Sequence, residues 1–208
     1  MTELSPQEEF WRGSFGSDYS DRNVGAGLVA SNTALFARAL ISAGAPRTVL
    51  ELGANVGMNL VALGHLFPEA ALHAVEINAT ACERLRALLP PGHVTEGSIL
   101  EDGPRTSFDL VLIKGVLIHI APDLLPFAYR RAVESTDRHL LICEYYNPTP
   151  VEVPYRGERE RLFKRDFCGE ILEQHPEMRL VDYGFVYHGD SSFPLDDITW
   201  FLLEKKGR

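Results

Sequence analysis

Val49-Leu50-Glu51-Leu52-Gly53-Ala54-Asn55-Val56-Gly57-Met58-Asn59 is the stretch whose reading decides the fold. Thr48 to Leu52 is a short apolar run with the composition of a strand, and it stops at Gly53. Met58, Val61, Ala62, Leu66 and Phe67 then recur on one face at helical spacing. A strand that turns on glycine into a helix presents backbone N–H groups to a ligand. Gly53 lets the chain turn without a Cβ clash, and Gly57 lets the helix start lie close to ligand or strand. A dinucleotide fingerprint counted from Gly53 needs glycine where Asn55 and Met58 stand, so two of its three glycines are missing. What is present is an acid two residues before the first glycine, followed by G-x-x-x-G: Glu51, Gly53 and Gly57. The plain alternative is an ordinary strand–helix turn of an α/β protein.

Downstream, the alternation of strand and helix continues. Leu72 to Ile77 is a second strand ending in an acid, Glu76, at about the separation of 20 residues where nucleotide-binding folds place the carboxylate that takes ribose hydroxyls. Residues 79–89 read as a helix stopped by Pro90-Pro91. His93 to Glu96 is a third strand, followed by Ser98 and Ile99, a polar and an apolar side chain suited to an adenine's amine and ring face. Phe108 to Ile113 is an unbroken apolar run, the pattern of a central parallel strand buried on both faces. It ends in Lys114-Gly115-Val116-Leu117-Ile118-His119-Ile120. A histidine among apolar residues is commonly a core or helix-end residue, but this one stands just past a carboxyl strand end, where open α/β sheets bind ligands.

Pro122 to Ser135 is predicted to be a helix and His139 to Glu144 a fifth strand, leading into Tyr145-Tyr146-Asn147-Pro148 and a proline-bearing loop. Asn147-Pro148 invites comparison with the N-P-P-Y motif of amino methyltransferases, which follows the fourth strand and not the fifth, so the match is rejected. Glu158 to His175 reads as one charged amphipathic helix, with Glu160 and Lys164 as an i,i+4 pair. Its charges read as a solvated face or, with Arg156 of the preceding loop joined to Arg161 and Arg165, as a patch for an anionic substrate. Leu180 to His188 and Ile198 to Glu204 are spaced as an antiparallel hairpin.

Upstream, residues 5–23 form an aromatic-rich arm carrying Phe10, Trp11, Phe15 and Tyr19. Ser5-Pro6-Gln7-Glu8 is a helix start, with an N-cap, proline in the first turn and acids following. Residues 25–43 form a further helix ended by Gly44 and Pro46. The division expected is an N-terminal helical arm or lid over residues 1–45 packed on a core of residues 46–208, a single domain overall.

At 208 residues the chain is long enough to bury a full α/β core. A formal charge of −9 argues against nucleic acid as the main partner, which would need clustered basic charge. No apolar run approaches the ~20 residues that span a bilayer, and no signal peptide is visible, so a cytoplasmic location is expected. The three cysteines, Cys82, Cys143 and Cys168, are far apart, which fits a reducing compartment and offers no metal site.

Glu51-Leu52-Gly53-Ala54-Asn55-Val56-Gly57 resembles motif I of the class I S-adenosylmethionine (SAM)-dependent methyltransferases, usually E/D-x-G-x-G-x-G, with Asn55 in place of the middle glycine. Over nearly its whole length the chain is similar to the bacterial pseudaminic acid biosynthesis-associated methylases. That resemblance rests on Phe10-Trp11, Phe15-Gly16, Tyr19 and Arg22-Asn23, on residues 51–60 and 114–120, on Glu144 to Gly157, on Phe163 to Phe167, and on Thr199 to Leu203. In that group asparagine at the position of Asn55 is ordinary.

The resemblance implies a doubly wound, Rossmann-like sheet of seven mostly parallel strands with an antiparallel C-terminal hairpin. It implies SAM as cofactor, S-adenosylhomocysteine as product and no metal. Cofactor-binding candidates are Tyr19 and Arg22 at the methionyl end, with Glu51, Gly53, Asn55, Gly57, Met58, Asn59, Glu76, Ile77, Ser98, Ile99 and Lys114. The acceptor is expected to be a small polar molecule, such as a nonulosonic acid or other sugar-like intermediate, with Tyr145, Tyr146, Asn147, Arg156 and Arg165 around it. The protein would act as a monomer or homodimer.

A sulfonium carries its own leaving group, so the protein's main task is alignment, which contributes ~7–11 kcal/mol, against ~10²–10⁴-fold for a general base. For a hydroxyl acceptor His119 is the first candidate base, with Glu144, His188 and Tyr146 behind it. An amine or carboxylate acceptor needs no strong base, so O- and N-methylation both stay open. Two other classes compete with this reading: a non-catalytic SAM-binding or partner-binding scaffold, and a nicotinamide oxidoreductase, against which the missing glycines at positions 55 and 58 speak.

Overall fold

A computed structural model of the chain describes residues 4–101, 104–154 and 161–207. In chain order its elements are α1 (Pro6–Arg12), α2 (Ser14–Arg22), α3 (Ala26–Ala39), β1 (Thr48–Leu52), α4 (Met58–Leu66), β2 (Ala71–Glu76), α5 (Ala79–Leu88) and β3 (Val94–Glu96). There follow β4 (Phe108–Lys114), a single 3-10 turn at Leu117–His119, α6 (Leu125–Ser135), β5 (Thr136–Glu144), β6 (Val151–Glu152), β7 (Phe163–Lys164), α7 (Phe167–Gln174), β8 (Met178–Val186) and β9 (Ile198–Lys205).

Seven of these strands form one sheet in the order β3-β2-β1-β4-β5-β9-β8. The first five run parallel, and β9 is antiparallel to both β5 and β8. The physical reason is the alternation of apolar strand and amphipathic helix, because a helix must cross over before the next strand can pair in parallel. Successive strand residues point to opposite faces, so each central strand feeds two cores. Leu50, Val111, Ile113 and Ile142 pack on one face with Tyr129 of α6 and Phe167 of α7. Val49, Leu110, Leu112 and Leu141 pack on the other with Phe36 of α3, Leu60 and Leu63 of α4 and Leu85 of α5. Each such fully buried side chain stabilises by about 1.5–3 kcal/mol relative to an exposed one.

Chain order reverses between β1 and β4, so the connections after β1 and β4 leave the sheet in opposite directions and open a cleft at the carboxyl ends. Ser5 begins α1 through a reciprocal capping box: its hydroxyl accepts from Glu8 N at 3.3 Å, and Glu8 Oε2 accepts from Ser5 N at 2.8 Å. Among the described residues no helix is long and apolar enough to cross a membrane.

One expectation is corrected. The segment predicted as a single helix over 158–175 instead contains β7, paired antiparallel with β6, and a helix only from Phe167 to Gln174. Residues 158–160 lie outside the described residues. Asp166 accepts from Gly169 N at 2.8 Å and so starts α7 there, while Arg165 and Lys164 are held extended by Tyr146 and Val151. The interleaved charges have helical spacing, but pairing with the loop after β5 overrides it.

Candidate functional site

The cleft is a cavity of about 560 Å³ between the carboxyl ends of the strands and the arm formed by α1 and α2. Its floor is the β1–α4 turn, which passes through positive φ at Gly53 (79°), Asn55 (47°) and Gly57 (83°). A Cβ on Gly53 would lie 2.5 Å from Val116 Cγ2, so the glycine permits both the turn and the approach of the chain after β4. Asparagine is one of the few side chains that tolerates the left-handed region. Here Asn55 also uses its side chain, whose Oδ1 accepts from Ser20 of α2 at 2.6 Å. Gly57 is buried and is not among the lining residues. A Cβ there would meet Leu88 and Leu85 of α5 at 2.8 and 2.9 Å, so it makes room for a helix and not for a ligand.

Glu76 lines the cavity at the end of β2. Its Oε2 accepts from Asn55 N at 2.7 Å and its Oε1 from Asn78 N at 2.8 Å. Each carboxylate oxygen keeps a second lone pair, enough for a hydroxyl donor. Burial pushes its carboxyl upward, and the backbone N–H groups partly oppose this. Ser98 and Ile99 line the wall beyond, and Ser98 Oγ donates to Glu8 of α1 while accepting from Leu100 N at 3.1 Å. Met58, Asn59, Ile77 and Lys114 line it as well. Glu51 does not: it is fully buried behind Asn59, whose Nδ2 donates to Glu51 Oε1 at 2.6 Å. Burial raises the Glu51 carboxyl to about 8 against the Asn59 bond and the Lys114 charge, and its Oε2 has no hydrogen-bond partner among the described residues.

The arm forms the roof. Trp11, Tyr19, Ser20, Arg22 and Asn23 line the cavity. The Trp11 ring stands 5.2 Å from that of Tyr19 and 4.6 Å from that of His119, edge-on and tilted. Asn78 Nδ2 lies 3.2 to 3.4 Å from the carbonyls of Trp11, Gly13 and Arg12, and from Ser17 Oγ. Gly16 is required for this docking, since a Cβ there would fall 1.9 Å from the Trp11 carbonyl oxygen. Arg84 of α5 pairs with Asp21 of α2. Asn78, Ser20 and Glu8 were missed by sequence reasoning. Asn78 was legible only as the N-cap of α5, where its Oδ1 accepts from Ala81 N at 3.1 Å.

On the β5 side the cavity is lined by His119, Glu144, Tyr145, Leu162, Asp196 and Ile198. The last three were not anticipated from the sequence, because nothing local marks β7's approach or the β8–β9 loop as part of a site. Glu144 is buried, and its Oε1 accepts from Val116 N and Leu117 N, both at 2.9 Å. Its Oε2 has no hydrogen-bond partner among the described residues, and burial lifts the carboxyl to about 7 despite those bonds. His119 Nδ1 lies 2.6 Å from the Arg161 carbonyl, which only accepts, so the proton sits on Nδ1 and the lone pair on Nε2. Burial lowers its pKa to about 4, so it is a neutral and weakly basic imidazole.

Several predicted residues are not brought to the cavity. Tyr146 is exposed, its ring 6.0 Å from Phe201 of the inverted strand, so the alternation of the chain turns it away from Glu144. Asn147 donates to the Thr149 carbonyl within its own turn. Arg165 Nε is paired with Glu170 at 2.6 Å, and Arg161 reaches the Pro6 carbonyl and lies 4.9 Å over the Phe10 ring. His188 is exposed and bonded to Asp197 at 2.9 Å. Arg156 lies outside the described residues.

No protein family matches the chain by sequence, and no curated protein does so. Solved structures do match in fold. The 1,6-didemethyltoxoflavin-N1-methyltransferase of Burkholderia thailandensis, with 1,6-didemethyltoxoflavin and S-adenosylhomocysteine bound, aligns with TM-score 0.72 and 17% identity over 100% of this chain and 93% of its own. The magnesium protoporphyrin IX methyltransferase of Synechocystis PCC 6803, with SAM bound, aligns with TM-score 0.69 and 12% identity over 99% and 100%. The N-methyltransferase NodS of Bradyrhizobium japonicum WM9, with S-adenosylhomocysteine, aligns with TM-score 0.64 and 16% identity over 89% and 91%. The fold is that of the class I SAM-dependent methyltransferases.

Proposed function

We propose that the protein is a SAM-dependent methyltransferase acting on a small polar acceptor. The observation that carries this is the cavity at the switch point, with the left-handed Gly53–Asn55 turn as its floor and Glu76 at its edge. The residues fit the cofactor: Glu76 retains acceptor capacity for ribose hydroxyls, Ser98 and Ile99 line the wall beyond it with a polar and an apolar side chain suited to an adenine, and Arg22 and Lys114 are cations suited to the methionine carboxylate. Bound there, SAM supplies an electrophilic methyl group on a sulfonium. The chain's own work is then to hold the acceptor in line and to exclude water. Residues 6–22 act as a lid through Ser20, Glu8 and the Trp11 carbonyl, within an arm of residues 1–45 on a core of residues 46–208.

If a base is needed, Glu144 replaces His119 as first candidate, because a general base works best with a pKa near the ambient pH. The similarity to pseudaminic acid biosynthesis-associated methylases supports a sugar-derived acceptor. Cys82, Cys143 and Cys168 are buried thiols, in keeping with a reducing cytoplasm. The test is incubation with methyl-labelled SAM and a metabolite extract, followed by mass spectrometry, alongside calorimetry with SAM. A folded chain that neither binds SAM nor transfers label refutes the proposal.

A further inference from the structure

We propose that the group methylated is an amine, and that the acceptor enters as a cation whose nitrogen is seated against Glu144 Oε2 with its polar remainder toward Tyr145 and Asp196. This rests on the methyltransferase reading and adds the acceptor's chemistry to it.

Sheet order separates two ends of the cavity. Glu76 and the glycine turn stand at the carboxyl ends of β2 and β1, whereas Glu144 closes β5, on the other side of β4. The β5 end is therefore the acceptor's side. Glu144 there has one oxygen satisfied by two backbone N–H groups and the other without any hydrogen-bond partner among the described residues, at 2% exposure. A buried carboxylate oxygen lacking a donor is costly, and it points to a donor that arrives with the ligand. At the rim, Asp196 adds a second carboxylate, exposed and accepting from the Tyr145 hydroxyl at 2.6 Å.

The cations that would serve an anionic acceptor are engaged elsewhere. Arg165 is held by Glu170, Arg161 lies over Phe10, and Lys164 stands 5.0 Å over the Tyr145 ring; none of the three lines the cavity. Lys114 does line it, and Arg22 lines it from the arm, both already suited to the methionine carboxylate; Glu51 keeps its proton, so the acids that face the β5 end are Glu144 and Asp196. His119 is neutral. Among the described residues the β5 end thus offers two acidic groups, Glu144 and Asp196, that would accept from a cation and disfavour an anion.

The protonation chemistry agrees. Desolvation disfavours both members of an ammonium–carboxylate pair, so a substrate ammonium meeting Glu144 passes its proton to Oε2 and leaves a neutral amine. The amine lone pair then forms the N–C bond with the methyl group as the C–S bond breaks, and the electron pair returns to sulfur. The product leaves as the methylated ammonium, and Glu144 returns the proton it took to solvent, so one proton is released per methyl transferred. An alkyl hydroxyl can donate to Oε2 but brings no positive charge for Glu144 and Asp196 to hold.

The test uses the full chain saturated with S-adenosylhomocysteine and three probes of one shape: cyclohexylamine, cyclohexanol and cyclohexanecarboxylate, followed by ligand-observed NMR. The amine should bind about tenfold or more tightly than the other two, the size of one charge-assisted hydrogen bond. Glu144→Gln should abolish that preference, and Asp196→Asn, at an exposed position that tolerates change, should reduce it if the first variant does not fold. Equal affinities, tighter binding of the carboxylate, or no detectable binding of the amine at millimolar concentration overturns the proposal. The S-adenosylhomocysteine titration that precedes the probes reports separately on the methyltransferase reading: a folded chain without affinity for it sinks that reading whatever the probes do.

Discussion

Replacing Glu51 by glutamine separates a buried charge from a buried shape. The amide keeps a carbonyl for Asn59 Nδ2, which donates to Oε1 at 2.6 Å, and it removes the titrating proton. Burial holds the Glu51 carboxyl at about 8, up from 4.5. Between those values the folded chain keeps a proton that the unfolded chain has released, so stability falls as pH rises. The group's contribution is complete below 4.5 and is lost once pH has passed about 8. A proton held across one pH unit is worth about 1.4 kcal/mol, so the whole window amounts to roughly 3–5 kcal/mol, a large share of a usual margin of about 5–15. His119 acts with the opposite sign: its pKa is lowered from 6.5 to about 4, so its contribution is present above 6.5 and is lost as pH falls toward 4. Both proteins carry that contribution, and it cancels in their difference. Urea unfolding of wild type and Glu51→Gln at a series of pH values is the assay. The variant should gain on the wild type by about 1 kcal/mol per pH unit across the window. Parallel profiles would refute the reasoning and mean that Lys114 fully compensates the buried carboxylate.

Three further outcomes are expected. Gly57→Val forces a β-branched residue to φ of 83° and a Cβ to within 2.9 Å of Leu85 and Leu88, so urea unfolding should show a loss of about 1–3 kcal/mol, and unchanged stability would contradict the packing described. Asn78→Ala removes the donor shared by the Trp11, Arg12 and Gly13 carbonyls; hydrogen exchange should quicken in residues 6–22 while β4 and β5 stay protected, and an equally protected arm would count against the latch. Arg22→Ala should weaken SAM binding by about one to two decades in calorimetry, the worth of a charge-assisted contact to the methionine carboxylate, and equal affinity would remove Arg22 from the site.

The sequence by itself determined the order of the strands and helices of the main sheet, because each apolar run and each capping signal acts within a few residues. Thr48 to Leu52 and the turn at Gly53 were readable for that reason, as was the helix start at Ser5. That Glu76, Ser98 and Ile99 line one cavity was legible too, since Glu76 closes β2 and Ser98 and Ile99 follow β3, strands whose place in the sheet follows from βα alternation. What only the tertiary structure decided depends on segments far apart in the chain. Glu51 carries the motif yet lies behind Asn59, and Gly57 serves α5, because depth and neighbours are not encoded in spacing. The predicted helix over 158–175 gave way to β7 because Val151 and Glu152 offered it backbone partners. Arg165 and Tyr146 lie away from the cavity for the same kind of reason: Glu170 and Phe201, which the spacing of the motif does not reveal as neighbours, hold them, and the β5 side of the cavity is lined instead by Glu144, Tyr145 and the unforeseen Asp196.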